Sequence, residues 1–229
     1  MKAQLVIPAA GMGTRLGSQG PKALIEVCGK PLLVWTLGQF APLGLVDDAI
    51  IVIPTEMHQA FRDALRPYFP HADFRFVAGG AERQHSVGNG IAAVDPDTRI
   101  VVVHDAARPF VPTESVRQSI LAAEEFGAAT VAIPSVDTIL VGDANAFLID
   151  TPDRSTLWAC QTPQTFEVDV VRAAHEAATR DGFVGTDDAS VVRRAGGRVK
   201  LVLGSPLNIK ITTPGDLDLA KAILTAGIA

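Results

Sequence analysis

The feature that most limits how this chain can fold is a regular alternation of short apolar runs with longer amphipathic stretches. The runs Gln4–Ile7, Ala49–Ile53, Phe74–Val77, Ile100–His104, Ala129–Ile133 and Val199–Leu203 have the length and β-branched content of strands. Helical patterns fill the spaces between them, at Leu32–Phe40, Glu56–Tyr68, Gln84–Val94, Glu114–Phe126, Val168–Arg180, Asp187–Ala195 and Gly215–Ala226. Strands this apolar on both alternating positions need cover on two sides. The pattern therefore predicts an α/β fold, a largely parallel sheet with helices on both faces.

Local signals support the helix ends. Thr213-Pro214 offers an N-cap before a proline at the first helical position, with Asp216 in the first turn and Gly227 just beyond the end. Thr186-Asp187-Asp188 offers a second N-cap with two acids near the positive helix end.

One segment does not fit the alternation. Between Ser135 and Leu157 short apolar pieces flank Gly142-Asp143-Ala144-Asn145 and Thr151-Pro152-Asp153, which reads as an extended hairpin. An arm of this kind leaves Ile139, Leu140, Phe147 and Leu148 in need of a cover, and a second copy of the chain would supply one. With no repeat, linker or low-complexity tract, residues 1–229 read as a single domain carrying an arm at about 135–157.

Composition excludes several classes. The 229 residues carry a formal charge of −5, which disfavours a general nucleic-acid binder. No apolar run approaches membrane-spanning length, and the N-terminus lacks a secretory leader pattern. The two cysteines, Cys28 and Cys160, fit no metal spacing and read as buried reduced thiols, suited to a cytoplasmic protein.

The chemistry-bearing residues fall in four places. After the first strand comes Pro8-Ala9-Ala10-Gly11-Met12-Gly13-Thr14-Arg15-Leu16, with Pro21-Lys22 close behind. A glycine loop leaving a strand brings backbone N–H groups close to an anion, and Arg15 and Lys22 suit phosphate oxygens. Leu16 stands where a dinucleotide fingerprint requires its third glycine, and no Walker lysine is present. The second place is Gly79-Gly80-Ala81-Glu82-Arg83-Gln84-His85-Ser86, where Ser86 opens a helix with a hydroxyl free to meet a base edge or to serve the helix end.

The third is His104-Asp105-Ala106-Ala107-Arg108-Pro109 at the end of an apolar strand. Asp105 there could meet a Mg²⁺ carried by a triphosphate or pair with Arg108, and His104 reads as a core histidine. The fourth comprises Arg154, Gln161-Thr162-Pro163-Gln164, Thr186-Asp187-Asp188 and Asn208-Ile209-Lys210-Ile211-Thr212, with Lys210 an unexpected cation in what reads as an apolar strand.

In their order and spacing, PAAGMGTRL with PK, GGAERQHSV, HDAARP, the Thr162-Pro163-Gln164 turn, TDDAS and NIKIT resemble the cytidylyltransferases that act on 2-C-methyl-D-erythritol 4-phosphate. The resemblance spans residues 8 to 212. It departs from the form of the motifs at Ala23, where glutamine is frequent, and at Ala81, where an acidic residue occurs.

It implies a Rossmann-like mixed, mostly parallel sheet with a dimerising β-arm, CTP and a polyol phosphate as substrates, and Mg²⁺ as cofactor. Pro8, Ala9, Ala10, Gly11, Met12, Gly13, Gly80, Ser86, Asp105 and Ala106 would bind the nucleotide, Asp105 also lying near the metal. Arg15, Lys22 and Lys210 would act on the reacting phosphates. Thr138, Arg154, Arg108, Thr162 and Thr186 would serve the polyol phosphate, with Thr138 and Arg154 supplied by the partner chain. Ending after the Thr213-capped helix, the chain is expected to be monofunctional.

The attacking group would be a phosphate already ionised at neutral pH. This agrees with the lack of any Ser/His/Asp or Cys/His arrangement. The alternatives are a cytidylyltransferase for another polyol phosphate such as ribitol 5-phosphate, an NAD-binding oxidoreductase and a non-catalytic nucleotide sensor.

Overall fold

The computed structural model describes residues 2–17 and 20–228, and the side chain of Arg15 lies outside that description. The strands β1 (Ala3–Pro8), β2 (Ile50–Ile53), β3 (Arg75–Ala78), β4 (Ile100–Val103), β5 (Ala128–Pro134), β6 (Trp158–Glu167) and β7 (Lys200–Leu203) form one sheet. Their spatial order is β7-β5-β6-β4-β1-β2-β3. Every neighbouring pair is parallel except those made by β6, which runs antiparallel to both β4 and β5. The sheet is thus mixed and mostly parallel, as expected.

The helices are α1 (Leu32–Gly38), α2 (His58–Leu65), α3 (Arg83–Ala92), α4 (Thr113–Phe126), α5 (Val168–Arg180), α6 (Asp188–Arg194) and α7 (Pro214–Ala226). Strand alternation splits the core between the two faces of the sheet. Leu5, Ile7, Ile51 and Val102 pack with Leu37 of α1, Phe61 of α2 and Val116 of α4. Val6, Val52, Val101 and Val103 pack with Val87 of α3, Val171 of α5 and Val191 of α6. Both layers are dry, which is why these strands read as continuous apolar runs. No described helix is long and apolar enough to cross a membrane.

The structure corrects the sequence reading in four places. Trp158–Glu167 is a strand, and Thr162-Pro163-Gln164 is an irregularity within it, with a cis Thr162-Pro163 peptide, and no turn. Its polar residues concealed it: Gln161, Thr162, Gln164 and Thr165 are all buried, each satisfied by a hydrogen bond. Asn208–Thr212 joins no strand; it is held by Asn208 Nδ2 on the Thr162 carbonyl and by Ile211 N–H on the Ala107 carbonyl. Asp187 caps α6 in place of Thr186, its carboxylate accepting from Ser190 N–H. Neither cysteine is a buried residue, although the Cys160 thiol itself is partly covered; Cys28 sits in a tight turn with φ of 48°, and the Cys160 thiol lies 3.2 Å from an Asp187 carboxylate oxygen.

At the far end of the chain, α7 carries the full expected signature. Thr213 and Asp216 form a reciprocal capping box, Pro214 opens the helix and Gly227 closes it at φ of 64°.

The arm is an extension of the β5–β6 pair. Ser135 N–H still bonds the Leu157 carbonyl at the root, and further out Val141–Gly142 pairs with Leu148–Asp150. Asp143 closes the tip by accepting the N–H groups of Asn145 and Phe147.

Candidate active site

In an open α/β sheet, ligands sit beyond the carboxyl ends of the strands where the winding direction reverses. Here the chain proceeds from β1 to β2 and β3 on one side, then crosses back to place β4 on the other side of β1. A cleft of about 380 Å³ opens at that point, walled by the segments that leave β1, β3 and β4.

The first wall is the loop after β1. Ala9 N–H is tied to Val52 at 2.7 Å, Lys22 N–H to the Gly11 carbonyl at 3.0 Å, and Met12 bridges Pro21. The loop is therefore closed on itself, and Thr14–Leu16 makes a single tight turn where a dinucleotide fold would start a long helix. A Cβ at Gly11 would meet no protein atom within 4 Å. The missing side chain there serves the open space of the cleft, and the fold does not require it. Pro8, Ala9, Ala10, Gly11, Met12 and Lys22 all line the cleft. Gly13 is buried behind them, its N–H on the Gly20 carbonyl. The expected phosphate role of the Arg15 side chain falls outside the described residues.

The second wall follows β3. A Cβ at Gly79 would come within 2.5 Å of the Ala10 Cβ, so the two glycine loops touch only because side chains are missing. Ser86 Oγ accepts from Gly80 N–H at 3.0 Å and donates to the Glu82 carbonyl at 3.2 Å. Ser86 is therefore a clasp that shapes the loop around Gly80, and both residues line the cleft.

The floor follows β4. His104 is fully buried, with Nε2 on the Arg108 carbonyl and Nδ1 on Thr162 Oγ1, each at 3.0 Å. Burial pushes its pKa down to about 4, so it is a neutral core residue. Asp105, only 7% exposed, receives three cations: Lys210 Nζ at 2.8 Å, Arg83 Nε at 3.3 Å and Arg108 Nε at 3.5 Å. Burial alone would raise the carboxyl pKa; the fields of Arg83 and Lys210 more than offset this and hold it well below the usual carboxylate range.

Thr162 Oγ1 also accepts the Asp105 N–H at 3.1 Å, so Thr162 supports the floor from beneath. Arg108 likewise lies under the floor, donating to the Asn208 carbonyl at 2.7 Å, which helps fix the segment bearing Lys210. Ala106 and Lys210 line the cleft.

Three expected residues are not brought to the cleft by this chain. Thr138 and Arg154 are exposed on the arm, Arg154 Nη1 donating to the Val136 carbonyl at 2.9 Å. Thr186 is exposed before α6 and does not line the cleft.

One residue escaped the sequence reading. Arg83 lines the cleft and spans two carboxylates, with Nη1 at 2.7 Å from Asp188 and Nε at 3.3 Å from Asp105. It stands inside a quoted motif, but Asp188 read as one more helix-capping acid, so no partner directed attention to it. Burial opposes its charge, yet the fields of Asp188 and Asp105 outweigh that and raise its pKa. Among the described residues no group of three His, Cys, Asp or Glu could hold a metal by itself.

Glycine loops and cations around one carboxylate, at the switch point of a mostly parallel sheet, define a nucleotide-binding α/β protein. The sequence-family model described as IspD, 2-C-methyl-D-erythritol 4-phosphate cytidylyltransferase, matches residues 3–226. A protein of that name from Caldanaerobacter subterraneus is 44% identical over 225 residues, covering 98% of this chain and 99% of the relative. Among solved structures, 4-diphosphocytidyl-2C-methyl-D-erythritol synthase from Anaerococcus prevotii superposes with a TM-score of 0.86 at 32% identity, over 98% of this chain and 96% of that one. The 2-C-methyl-D-erythritol 4-phosphate cytidylyltransferase of Thermus thermophilus superposes with a TM-score of 0.80 at 35% identity, over 98% and 100%. The chain belongs to the 2-C-methyl-D-erythritol 4-phosphate cytidylyltransferase family.

Proposed function

We propose that this chain is a single-domain enzyme that transfers the cytidylyl group of CTP to 2-C-methyl-D-erythritol 4-phosphate. It releases pyrophosphate and supplies the non-mevalonate route to isoprenoids. Besides family membership, the observation that supports this most is the polarity of the cleft. Two side-chain-poor loops share the cleft with Lys22, Arg83 and Lys210, the last two paired with the buried carboxylate of Asp105.

The obstacle in such a reaction is charge. A phosphate monoester, with a second pKa of about 6, is mostly dianionic at neutral pH and needs no base to attack phosphorus. Among the described residues neither His104 nor Cys160 is suited to act as one. His104 is locked between Arg108 and Thr162, and burial together with Asp187 raises the Cys160 thiol pKa, leaving little thiolate. Catalysis then rests on fixed cations that meet charge as it gathers on the α-phosphate and the leaving pyrophosphate. Lys22 on the first loop and Lys210 beside Asp105 both line the cleft, and Arg15 precedes Lys22 on the same loop. The Ala9–Gly13 backbone and Gly80 hold the base and phosphates.

The donor set suits a metal that arrives with the nucleotide. Mg²⁺ takes one or two carboxylates and completes its shell with phosphate oxygens and water, and Asp105 is the ionised carboxylate on the floor. When bound there it would screen the triphosphate.

The second substrate is read through the arm. Val136, Phe147, Leu148 and Ile149 are each more than half exposed, from 60 to 81%, large apolar side chains of the kind partners cover. In a two-fold dimer this arm lies across the partner, with Thr138 and Arg154 meeting the polyol phosphate there; Thr186 is the third residue assigned to that substrate. The unpaired thiols suit a cytoplasmic enzyme.

The deciding experiment follows pyrophosphate release from CTP with 2-C-methyl-D-erythritol 4-phosphate and, separately, ribitol 5-phosphate. Release with the first and little with the second supports the reading. The reverse preference identifies another polyol as substrate, and release with neither, despite CTP binding, leaves a nucleotide sensor.

A further inference from the structure

Lys210 stands on a segment that no strand ladder places. A cation that meets reacting phosphates must still be set closely, because small misplacements are costly in rate. The bonds that fix this one lie on either side of it. Ile211 N–H donates to the Ala107 carbonyl at 2.9 Å. Two residues before the lysine, Asn208 is fully buried, and Arg108 Nη1 donates to its carbonyl at 2.7 Å.

The Asn208 side chain reaches into β6. Nδ2 donates to the Thr162 carbonyl at 2.9 Å and to Gln161 Oε1 at 3.0 Å, so both amide protons are used. Gln161 Nε2 in turn donates to the Ser205 carbonyl at 2.8 Å, gripping the turn that leads into the segment. Strand β6 can offer these groups because its pairing is interrupted between Cys160 and Gln164. A regular ladder would have claimed the Thr162 carbonyl for a neighbouring strand.

Thr162 also holds the other half of the ion pair that Lys210 makes. Its Oγ1 accepts the Asp105 N–H at 3.1 Å, and Asp105 receives Lys210 Nζ at 2.8 Å. Both ends of the pair are thus registered on one residue of β6: Asp105 through the hydroxyl, Lys210 through Asn208. The pair does not exhaust the lysine. An ammonium has three donors, and the Lys210 side chain is 41% exposed and lines the cleft.

We propose that Asn208 is a positioning residue that sets Lys210 at the register where its ammonium meets both Asp105 and the reacting phosphates. This rests on the reading of Lys210 as a stabiliser of those phosphates. Asn208 is buried and does not line the cleft, so it acts through the lysine two residues on. Without its amide, the backbone bonds of Arg108 and Ile211 keep the segment attached, but nothing registers it against Thr162.

The test is a kinetic double-mutant cycle on the full-length chain, read by pyrophosphate release, with CTP binding and thermal unfolding measured alongside. Asn208→Ala should lower kcat about tenfold to a hundredfold while changing the Kd for CTP less than about threefold. Added to Lys210→Ala, it should cost less than about twofold more, because the lysine it places is gone. Ser119→Ala removes a buried hydroxyl pair to Thr165 of the same strand, outside the cleft. It controls for softening of the fold and should keep the wild-type kcat. If Asn208→Ala does not fold, Gln161→Met takes its place in the same cycle, with a smaller loss expected.

A double variant showing the product of the two single losses would overturn the proposal. So would wild-type kcat in Asn208→Ala, or an equal fall of kcat in Ser119→Ala. Wild-type turnover in Lys210→Ala would instead remove the reading of the lysine itself, which separates the two failures.

Discussion

The cleft and the arm both carry cations, but they hold them in opposite ways. In the cleft, Lys210, Arg83 and Arg108 converge on one buried carboxylate, and Arg83 is anchored from behind by a second. On the arm, Arg154 leans on a backbone carbonyl of its own hairpin, among side chains facing solvent. The first region is finished within one chain: its groups stand where they are needed before any ligand arrives, and little reorganisation remains to be done on binding. On the proposed reading, the second is completed by a partner chain, so the nucleotide half of the site is formed within one chain and the polyol half depends on assembly.

That contrast can be broken at several points. The largest expected effect is at Lys22, where Lys22→Ala should lower turnover roughly 10²–10³-fold, the scale for losing one fixed charge stabiliser. Wild-type turnover in a pyrophosphate-release assay would remove the lysine from the mechanism.

Next is the dryness of the floor. His104 has a folded pKa of about 4 against 6.5 when free, so between those values the unfolded chain binds a proton that the folded chain refuses. Stability from this residue is complete above pH 6.5 and declines as pH falls to 4, by about 3 kcal/mol in all. The depressed Asp105 carboxyl adds a further loss at still lower pH. Urea unfolding across that range measures the slope, and an imidazole resonance for His104 titrating near 6.5 would show that the floor is wet.

The arm makes smaller but more diagnostic claims. Replacing Phe147 and Leu148 by Ser should weaken self-association about tenfold or more, read by sedimentation, with CTP binding untouched because the cleft is complete without them. Mixing Lys22→Ala and Arg154→Ala chains should recover about a quarter of wild-type activity, since half of random dimers are mixed and each contains one intact site. No recovery in proven mixed dimers would return Arg154 to its own subunit or remove it from the site.

Much of this architecture is legible in the sequence because the parallel strands are apolar on both faces. Val6 and Ile7 serve opposite layers, and both are apolar. The glycine loops are legible for a related reason: only glycine fits at position 79, where an added Cβ would stand 2.5 Å from the Ala10 Cβ. What stayed hidden was buried polarity. Strand β6 looks like a loop because Gln161, Thr162, Gln164 and Thr165 are polar, and their burial depends on partners up to 58 residues distant in the chain. Lys210 stands out in the sequence as a charge in an apolar run, yet that run joins no strand. Arg83 and Asp188, 105 residues apart, could not be paired by any local pattern.

The reversed direction of β6 has one more consequence. Because β6 runs against its neighbours, the chain leaves β5 and re-enters the sheet at the same edge, the edge where β1 and β4 also end and the cleft opens. A parallel connection would have spent those residues on a covering crossover. A there-and-back excursion can instead change length or sequence at its tip while its root stays paired at Ser135 and Leu157. The chain thereby separates two evolutionary problems. On the proposed reading, selectivity for the acceptor can change at the tip without disturbing the loops that line the cleft.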